Sequence, residues 1–346
     1  MTEHIQEPTT ESRKVDHIKI NLEKNVQFPN LTTGLERYFL PHRALPDIDM
    51  TCIDLSTRFL GKELQAPILI SSMTGGTQMA ETINRNLAVA AQAHGVAMGL
   101  GSQRAAIESL SLAQSFRLRQ YAPDILLFAN VGVIQLNYGF VAEHFQRAID
   151  MAEADALILH FNVLQEAVQP EGDVNWNGLL PKIEKLCRDL SVPIIAKEVG
   201  WGFDSKTLSQ LANTGIAAVD VAGAGGTSWS EVEYHRAPNA FHAKVAAAFA
   251  DWGYPTAEAI QIAKTTTPNL PIIASGGIKN GVDIAKTIAL GAEIGGMAAT
   301  FLRSATESVE AVSEVIAITK KQLQIAMLCS GNTTINDLKG CQLIQR

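Results

Sequence analysis

The stretch PIIASGGIKNGVDIAKTIAL, residues 271–290, decides the reading of the whole chain. A short run of branched apolar residues gives way to a glycine-rich turn, and a segment of helical period follows, which spells strand, tight turn and helix. The same rhythm recurs along the sequence. Runs of this kind occupy 67–73, 96–101, 125–131, 156–162, 193–199, 217–222, 271–276 and 294–299. The intervals between them are long enough for crossover helices, and a helical pattern, TESVEAVSEVIAITKKQLQIAML, follows the last. Eight β-α units imply a closed parallel barrel, the (β/α)8 or TIM-barrel form of the α/β class. Residues 1–66 fall outside the rhythm and are expected to form an amino-terminal extension that caps the substrate, with the barrel proper at 67–346. The longest interval, 223–270, is expected to be a helical insertion between strands six and seven.

Composition fits one large soluble globular chain. Its 346 residues are 47% hydrophobic and 18% charged, enough to bury a sizeable core. The net charge of -7 and the lack of a basic patch exclude a nucleic-acid footprint as an expectation. The polar start MTEHIQEPTTESRK has no apolar signal region, and the most apolar late stretch is broken by Glu293 and glycines, so no membrane association and a cytoplasmic location are expected. Cys52, Cys187, Cys329 and Cys341 are widely spaced, which suits reduced thiols better than a disulfide framework or a zinc site.

In a parallel barrel the loops after the strands surround a single mouth, and here every strand end is polar or glycine-rich. The ends of strands seven and eight, Gly276–Ile278 and Gly295–Ala299, offer backbone amides without bulky side chains, as phosphate-holding barrel loops do. Tight packing of small residues would produce the same pattern. Lys197 and Glu198 end strand five, and neighbouring strand residues face opposite ways, so only one of them enters the barrel. An inward Lys197 places an ammonium at the centre of the mouth, where it would stabilise the anion of a reduced flavin; otherwise it reaches solvent. Strand four closes on HFNVLQE, residues 160–166, where a histidine, two amides and a carboxylate follow an apolar run.

These strand ends resemble type 2 isopentenyl diphosphate isomerase, a flavin-dependent family. The resemblance runs through nearly the whole chain: RKVDH at 13–17, SMTGG at 72–76, GSQR at 101–104, HFNVLQE at 160–166, KEVG at 197–200, GGTSW at 225–229 and ASGGIKNG at 274–281. GSQR or SGGIKNG alone is weak, since other phosphate-binding barrels carry similar turns; together the motifs are highly specific. The family usually carries leucine and proline where this chain has Phe161 and Val163, although the polar positions are all present.

The resemblance implies FMN contacts from Ser72, Met73, Thr74, Ser102, Asn130, Lys197, Thr227, Gly276, Gly277, Ile278, Ala298 and Ala299. It implies substrate contacts from Arg13, Lys14, His17, Ser102, Gln103, Arg104, Asn162 and Gln165, with Trp229 walling an allyl tail. Gln165 and His160 are the implied catalytic side chains, and Glu166 the Mg²⁺ ligand. Elementary chemistry agrees with the division: Mg²⁺ takes carboxylate and phosphate oxygens, whereas an amide orients a polar group without adding charge. The implied reaction interconverts isopentenyl and dimethylallyl diphosphate by proton addition and elimination over reduced FMN, with NADPH as reductant and a homotetrameric assembly. Two other readings remain at this point. One is a 2-hydroxy-acid dehydrogenase or oxidase, which needs a His/Arg pair beside the flavin and leaves Gln165–Glu166 and RKVDH without a role. The other is a flavin-binding barrel without catalysis.

Overall fold

The branched apolar runs become strands because they are buried on both faces, the environment of a parallel sheet wrapped by helices. The computed structural model describes residues 10–346, so the first nine residues of the 1–66 extension lie outside the description. The strands are β1 (Ile68–Ile70), β2 (Ala97–Gly99), β3 (Leu127–Gly132), β4 (Ala156–Phe161), β5 (Ile194–Glu198), β6 (Ala218–Asp220), β7 (Ile272–Ala274) and β8 (Ile294–Met297). Seven fall within the expected runs, and β3 overruns its own, 125–131, by one residue. Each pairs in parallel with the next, and β8 returns to β1, closing the barrel.

Alternation along the strands sorts the interior into layers. Leu69, Ala97, Phe128, Ile158, Ile195, Ala218, Ile273 and Ile294 pack together inside the barrel. Two residues further along each strand direction come Ser71, Gly99, Asn130, His160, Lys197, Asp220, Ser275 and Gly296. The apolar layer is therefore the floor on which a polar layer stands. The opposite end is plugged by a hairpin, Thr57–Phe59 with Lys62–Leu64, whose Phe59 and Leu64 join the apolar layer. Outward residues such as Ile68, Met98 and Leu157 pack in the core between the sheet and the surrounding helices, each contributing about 1.5–3 kcal/mol of burial.

Helix α1 (Thr10–Glu23) belongs to the extension, and α2 (Val163–Val168) follows β4 directly. The interval between β6 and β7 carries α3 (Trp229–Arg236), α4 (Ala240–Ala247) and α5 (Thr256–Thr266), the expected helical insertion. The extension and the insertion are stitched together beyond α1. Ser228 N donates to Val26 O at 2.8 Å, and Phe28 N to Gly226 O at 3.3 Å. Ile18, 3% exposed, anchors α1 in the core. Among the described residues no helix is long and apolar enough to cross a membrane.

Candidate active site

A cavity of about 1890 Å³, counting its open mouth, lies above the polar layer. Its walls come from the loops after all eight barrel strands and from α1, so groups from every strand end meet at one mouth. Spacing on α1 decides its contribution: Arg13 and His17 are one turn apart, with Lys14 beside them, so all three share the face that lines the cavity. Arg13 Nη1 donates to Gln169 Oε1 at 3.2 Å. Lys14 Nζ donates to the Ser102 carbonyl at 2.8 Å and lies 5.5 Å from the Phe116 ring centre. Burial, reinforced by the Arg13 charge, pushes the Lys14 pKa down to about 7. His17 Nε2 sits 3.0 Å from Glu233 Oε1, and its ring meets the Trp229 ring edge-on at 5.2 Å. The cationic segment is thus docked over the mouth.

The floor is set by β3, β4 and β5. Lys197 points inward and lines the cavity, while Glu198 turns away. The Glu198 Oε2 atom accepts the amides of Val199, Gly200, Trp201 and Gly202, fixing the loop after β5. His160 Nδ1 lies 2.7 Å from Asn130 Oδ1, an arrangement in which Nδ1–H donates and Nε2 is left as an acceptor. Desolvation first, then the Lys197 and Lys14 charges, push the His160 pKa down to about 3. The ring is neutral at any ordinary pH.

The amide–carboxylate pair sits on α2, where successive residues are about 100° apart and so face different surroundings. Glu166 Oε1 accepts from Asn162 Nδ2 and Oε2 from Asp173 N, both at 2.8 Å. Burial, with Asp173 adding repulsion, raises the Glu166 pKa. Gln165 Oε1 accepts from Asn162 Nδ2 at 3.3 Å, and Gln165 Nε2 donates to Glu233 Oε1 at 3.3 Å. Val163 is the first residue of α2 and is 50% exposed, a position where proline is equally at home because its N–H has no helical partner. Phe161 packs edge-on against Phe203 at 5.4 Å between ring centres.

Ser72, Met73 and Thr74 after β1, Ser102 and Arg104 after β2, and Thr227 and Trp229 of the insertion also line the cavity. Gly276, Gly277 and Ile278 after β7 do so too, with Ala298 and Ala299 after β8. Gln103 does not. It is fully buried, Nε2 donating to Ala148 O and Oε1 accepting from Asn130 N, both at 2.9 Å. Both ends of its amide are consumed in bracing β3, so the expected substrate contact is corrected to a bracing one.

Several observations fit the groups that the sequence implies. The buried hydroxyls of Ser71 and Ser72 have no hydrogen-bond partner. No side chain caps the helix Ala299–Glu307, whose first amides are open to an anion. Gly276 and Gly277 have φ of 101° and 71°, and a Cβ on Gly276 would lie 2.0 Å from the Gly223 carbonyl oxygen. Close packing therefore demands these glycines, and their bare backbone still faces the cavity. For a hard cation, the candidate ligand is the Glu166 carboxylate; the Asn162 amide that donates to it through Nδ2 carries a buried Oδ1 without a partner. Among the described residues no three His, Cys, Asp or Glu side chains gather to hold a metal. A Mg²⁺ ion here would complete its shell with substrate oxygens and water.

Two residues escaped the sequence reading. Glu233 on α3 receives Gln165, Gln169 Nε2 at 2.7 Å and Arg236 Nε at 2.8 Å, besides facing His17. Burial opposes its ionisation, but the His17 and Arg236 contacts outweigh it and hold its pKa at about 2. Its spacing of one helical turn from Trp229 was the available signal. Asp220, at the end of β6, lies 3.7 Å from Lys197 Nζ and is fully buried.

Closed barrel, anion-receptive loops after β7 and β8 and an inward lysine define a (β/α)8 protein built to receive an anionic ligand at its mouth. The model of the FMN-dependent dehydrogenase family matches residues 8–123 and 140–345, and the chain belongs to that family. Within it, the kinship is with the isopentenyl-diphosphate delta-isomerases. The chain is 53% identical to the protein of that name from Nostoc sp., over 97% of this chain and 96% of that one. It is 51% identical to the one from Rickettsia bellii, over 96% of each. Among solved structures, a flavocytochrome b2 with sulfite bound superposes with a TM-score of 0.68 at 16% identity, over 97% of this chain and 83% of that one. A mandelate oxidase variant gives a TM-score of 0.67 at 14% identity, over 95% of each. These two likenesses concern the fold alone.

Proposed function

We propose that the chain interconverts isopentenyl and dimethylallyl diphosphate by proton addition and elimination, with reduced FMN and Mg²⁺ bound in the cavity. The observation that carries this reading is that one cavity gathers the Gln165–Glu166 pair with Arg13, Lys14 and Arg104 above an inward Lys197. Arg13, Lys14 and Arg104 hold the diphosphate, and Glu166 with Asn162 holds the cation that bridges to it. Ser72, Met73, Thr74, Ser102, Asn130, Thr227 and the glycine and alanine loops after β7 and β8 hold FMN. Bound there, FMN supplies an electron-rich ring that stabilises positive charge developing on the allyl group.

The protein's own groups do the rest. Trp229 and α1 close over the apolar tail and keep water from a carbocationic transition state. Gln165, oriented by Asn162 and Glu233, steers the proton path without placing a charge beside the cation. His160 contributes a neutral ring whose acceptor nitrogen can hold a polar group in place. NADPH as reductant and a homotetramer, both taken from the family resemblance, complete the reading, together with the cytoplasmic setting expected from the sequence.

The 2-hydroxy-acid alternative is less well served. Its general base would be His160, but a pKa of about 3 makes that imidazole a weak base near neutrality. Its carboxylate clamp would be Arg104, and that scheme leaves Arg13, Lys14, Gln165 and Glu166, gathered at the same cavity, without a role. Anaerobic incubation with isopentenyl diphosphate should give dimethylallyl diphosphate, whereas flavin reduction by a 2-hydroxy acid would favour the alternative and inertness to both would favour a scaffold. Glu166→Gln is expected to raise the Mg²⁺ concentration for half-maximal activity by at least about tenfold, since a neutral oxygen replaces an anionic ligand. A metal titration checks this, and an unchanged curve would return Glu166 to a structural role.

A further inference from the structure

The polar layer on which the cavity rests contains one cation and one anion. Of its eight members Ser71, Gly99, Asn130, Ser275 and Gly296 carry no charge, and His160 is neutral. Lys197 and Asp220 remain, paired in register across β5 and β6. Asp220 is fully buried and lies below the cavity surface, whereas Lys197 reaches it. Asp220 Oδ1 is satisfied, accepting from Ser275 Oγ at 2.6 Å. Asp220 Oδ2 accepts no hydrogen bond and faces the ammonium at 3.7 Å. The ammonium donates to the Glu198 carbonyl at 2.7 Å, which leaves further N–H groups for whatever lies above.

This is an ion pair held just short of hydrogen-bond closure in a site of low dielectric, where separation of a few ångströms still couples charges strongly. With both groups ionised the layer is neutral overall; without the carboxylate it carries one full positive charge. We propose that Asp220 is a positioning residue for Lys197, setting how much positive charge the ammonium presents to bound FMN and thereby lowering the flavin's reduction potential. The inference rests on Lys197 facing FMN, as proposed above. Its chemical consequence suits a reaction with no net redox change. A lysine partly neutralised from below withdraws less electron density from the reduced ring, which stays basic enough to take part in proton transfer. Burial pushes the Asp220 carboxyl upward, and the adjacent ammonium, the Ser275 hydroxyl and the Ala222 amide oppose that rise.

The test measures the two-electron midpoint potential of the FMN-loaded protein, together with the dissociation constants of oxidised and reduced FMN. Asp220→Asn keeps the shape and removes the charge. It should increase the preference for reduced over oxidised FMN about tenfold, which corresponds to about 30 mV upward for two electrons. Asp220→Ser, smaller and also neutral, should move the potential in the same direction, and serves if the amide variant does not fold. Lys197→Met should move it the opposite way. An unchanged potential in both Asp220 variants, with Lys197→Met shifting it, overturns the proposal and leaves Asp220 as a packing carboxyl. No shift in any variant instead removes Lys197 from the flavin and overturns the placement on which the inference stands.

Discussion

Gln165→Ala is expected to lower kcat by about 10²–10⁴-fold, the range over which positioned proton-transfer groups act, while KM, FMN content and Mg²⁺ dependence stay close to the parent's. The expectation rests on the surroundings of the amide. Its two ends are oriented by Asn162 and Glu233 at 3.3 Å each, long contacts that fix direction while leaving the group free to tighten onto a transition state. Neither the Arg13 and Lys14 contacts nor those of the Glu166 oxygens depend on it. Loss confined to kcat is the signature of an interaction made mainly in the transition state. Normal turnover with a raised KM would make Gln165 a binding residue only. The proton path would then be built from FMN and other groups at the mouth.

The second large effect is expected at Glu233. Its carboxylate receives Gln165, Gln169 and Arg236 and faces His17, so it joins the Gln165 amide, the α2 loop and the docked helix α1 at one buried point. Glu233→Gln removes the charge and forces one acceptor position to become a donor. Breaking a buried charged hydrogen-bond pair costs about 3–5 kcal/mol, so kcat/KM should fall by about 10²–10⁴-fold, with faster hydrogen exchange in residues 13–23. Wild-type kcat/KM with unaltered protection of α1 would show that the hub is dispensable. The pH dependence has a fixed sign. The folded-state pKa of about 2 lies below the ordinary 4.5, so the stabilisation is fully present above about 4.5 and is lost as pH falls toward 2. Acid should therefore loosen α1 in the parent and have far less effect in the amide variant.

The barrel was legible because each strand is a contiguous apolar run and each is followed by its own helix, so local pattern and global closure agree. PIIASG and ALILHFN mark β7 and β4 without reference to anything distant. The choice between Lys197 and Glu198 was open from the sequence, since alternation says only that one faces inward. It is settled by Ile195, which packs in the interior layer two residues before Lys197. Asp220 lies in AAVDVA, where a lone carboxylate inside an apolar run gives no hint of its partner twenty-three residues earlier. Gln103 misled for the converse reason. It stands between two cavity-lining residues, Ser102 and Arg104, but the turn into the next helix rotates its side chain inward to the β3 backbone. Glu233 reads locally as one more charge on a short polar helix; only the docking of α1 onto α3 shows what it gathers.

On the proposed function, this cavity moves a double bond by proton transfer while the flavin undergoes no net redox change. The most direct measurement incubates the purified, FMN-loaded protein anaerobically in D₂O with Mg²⁺, one reducing charge of NADPH and isopentenyl diphosphate, following product and flavin spectrum together. The predicted result is dimethylallyl diphosphate carrying deuterium in a methyl group, formed over many turnovers while the flavin stays reduced and no further NADPH is consumed. No product with the flavin shown to be reduced, or product formed only in proportion to NADPH oxidised, would contradict it.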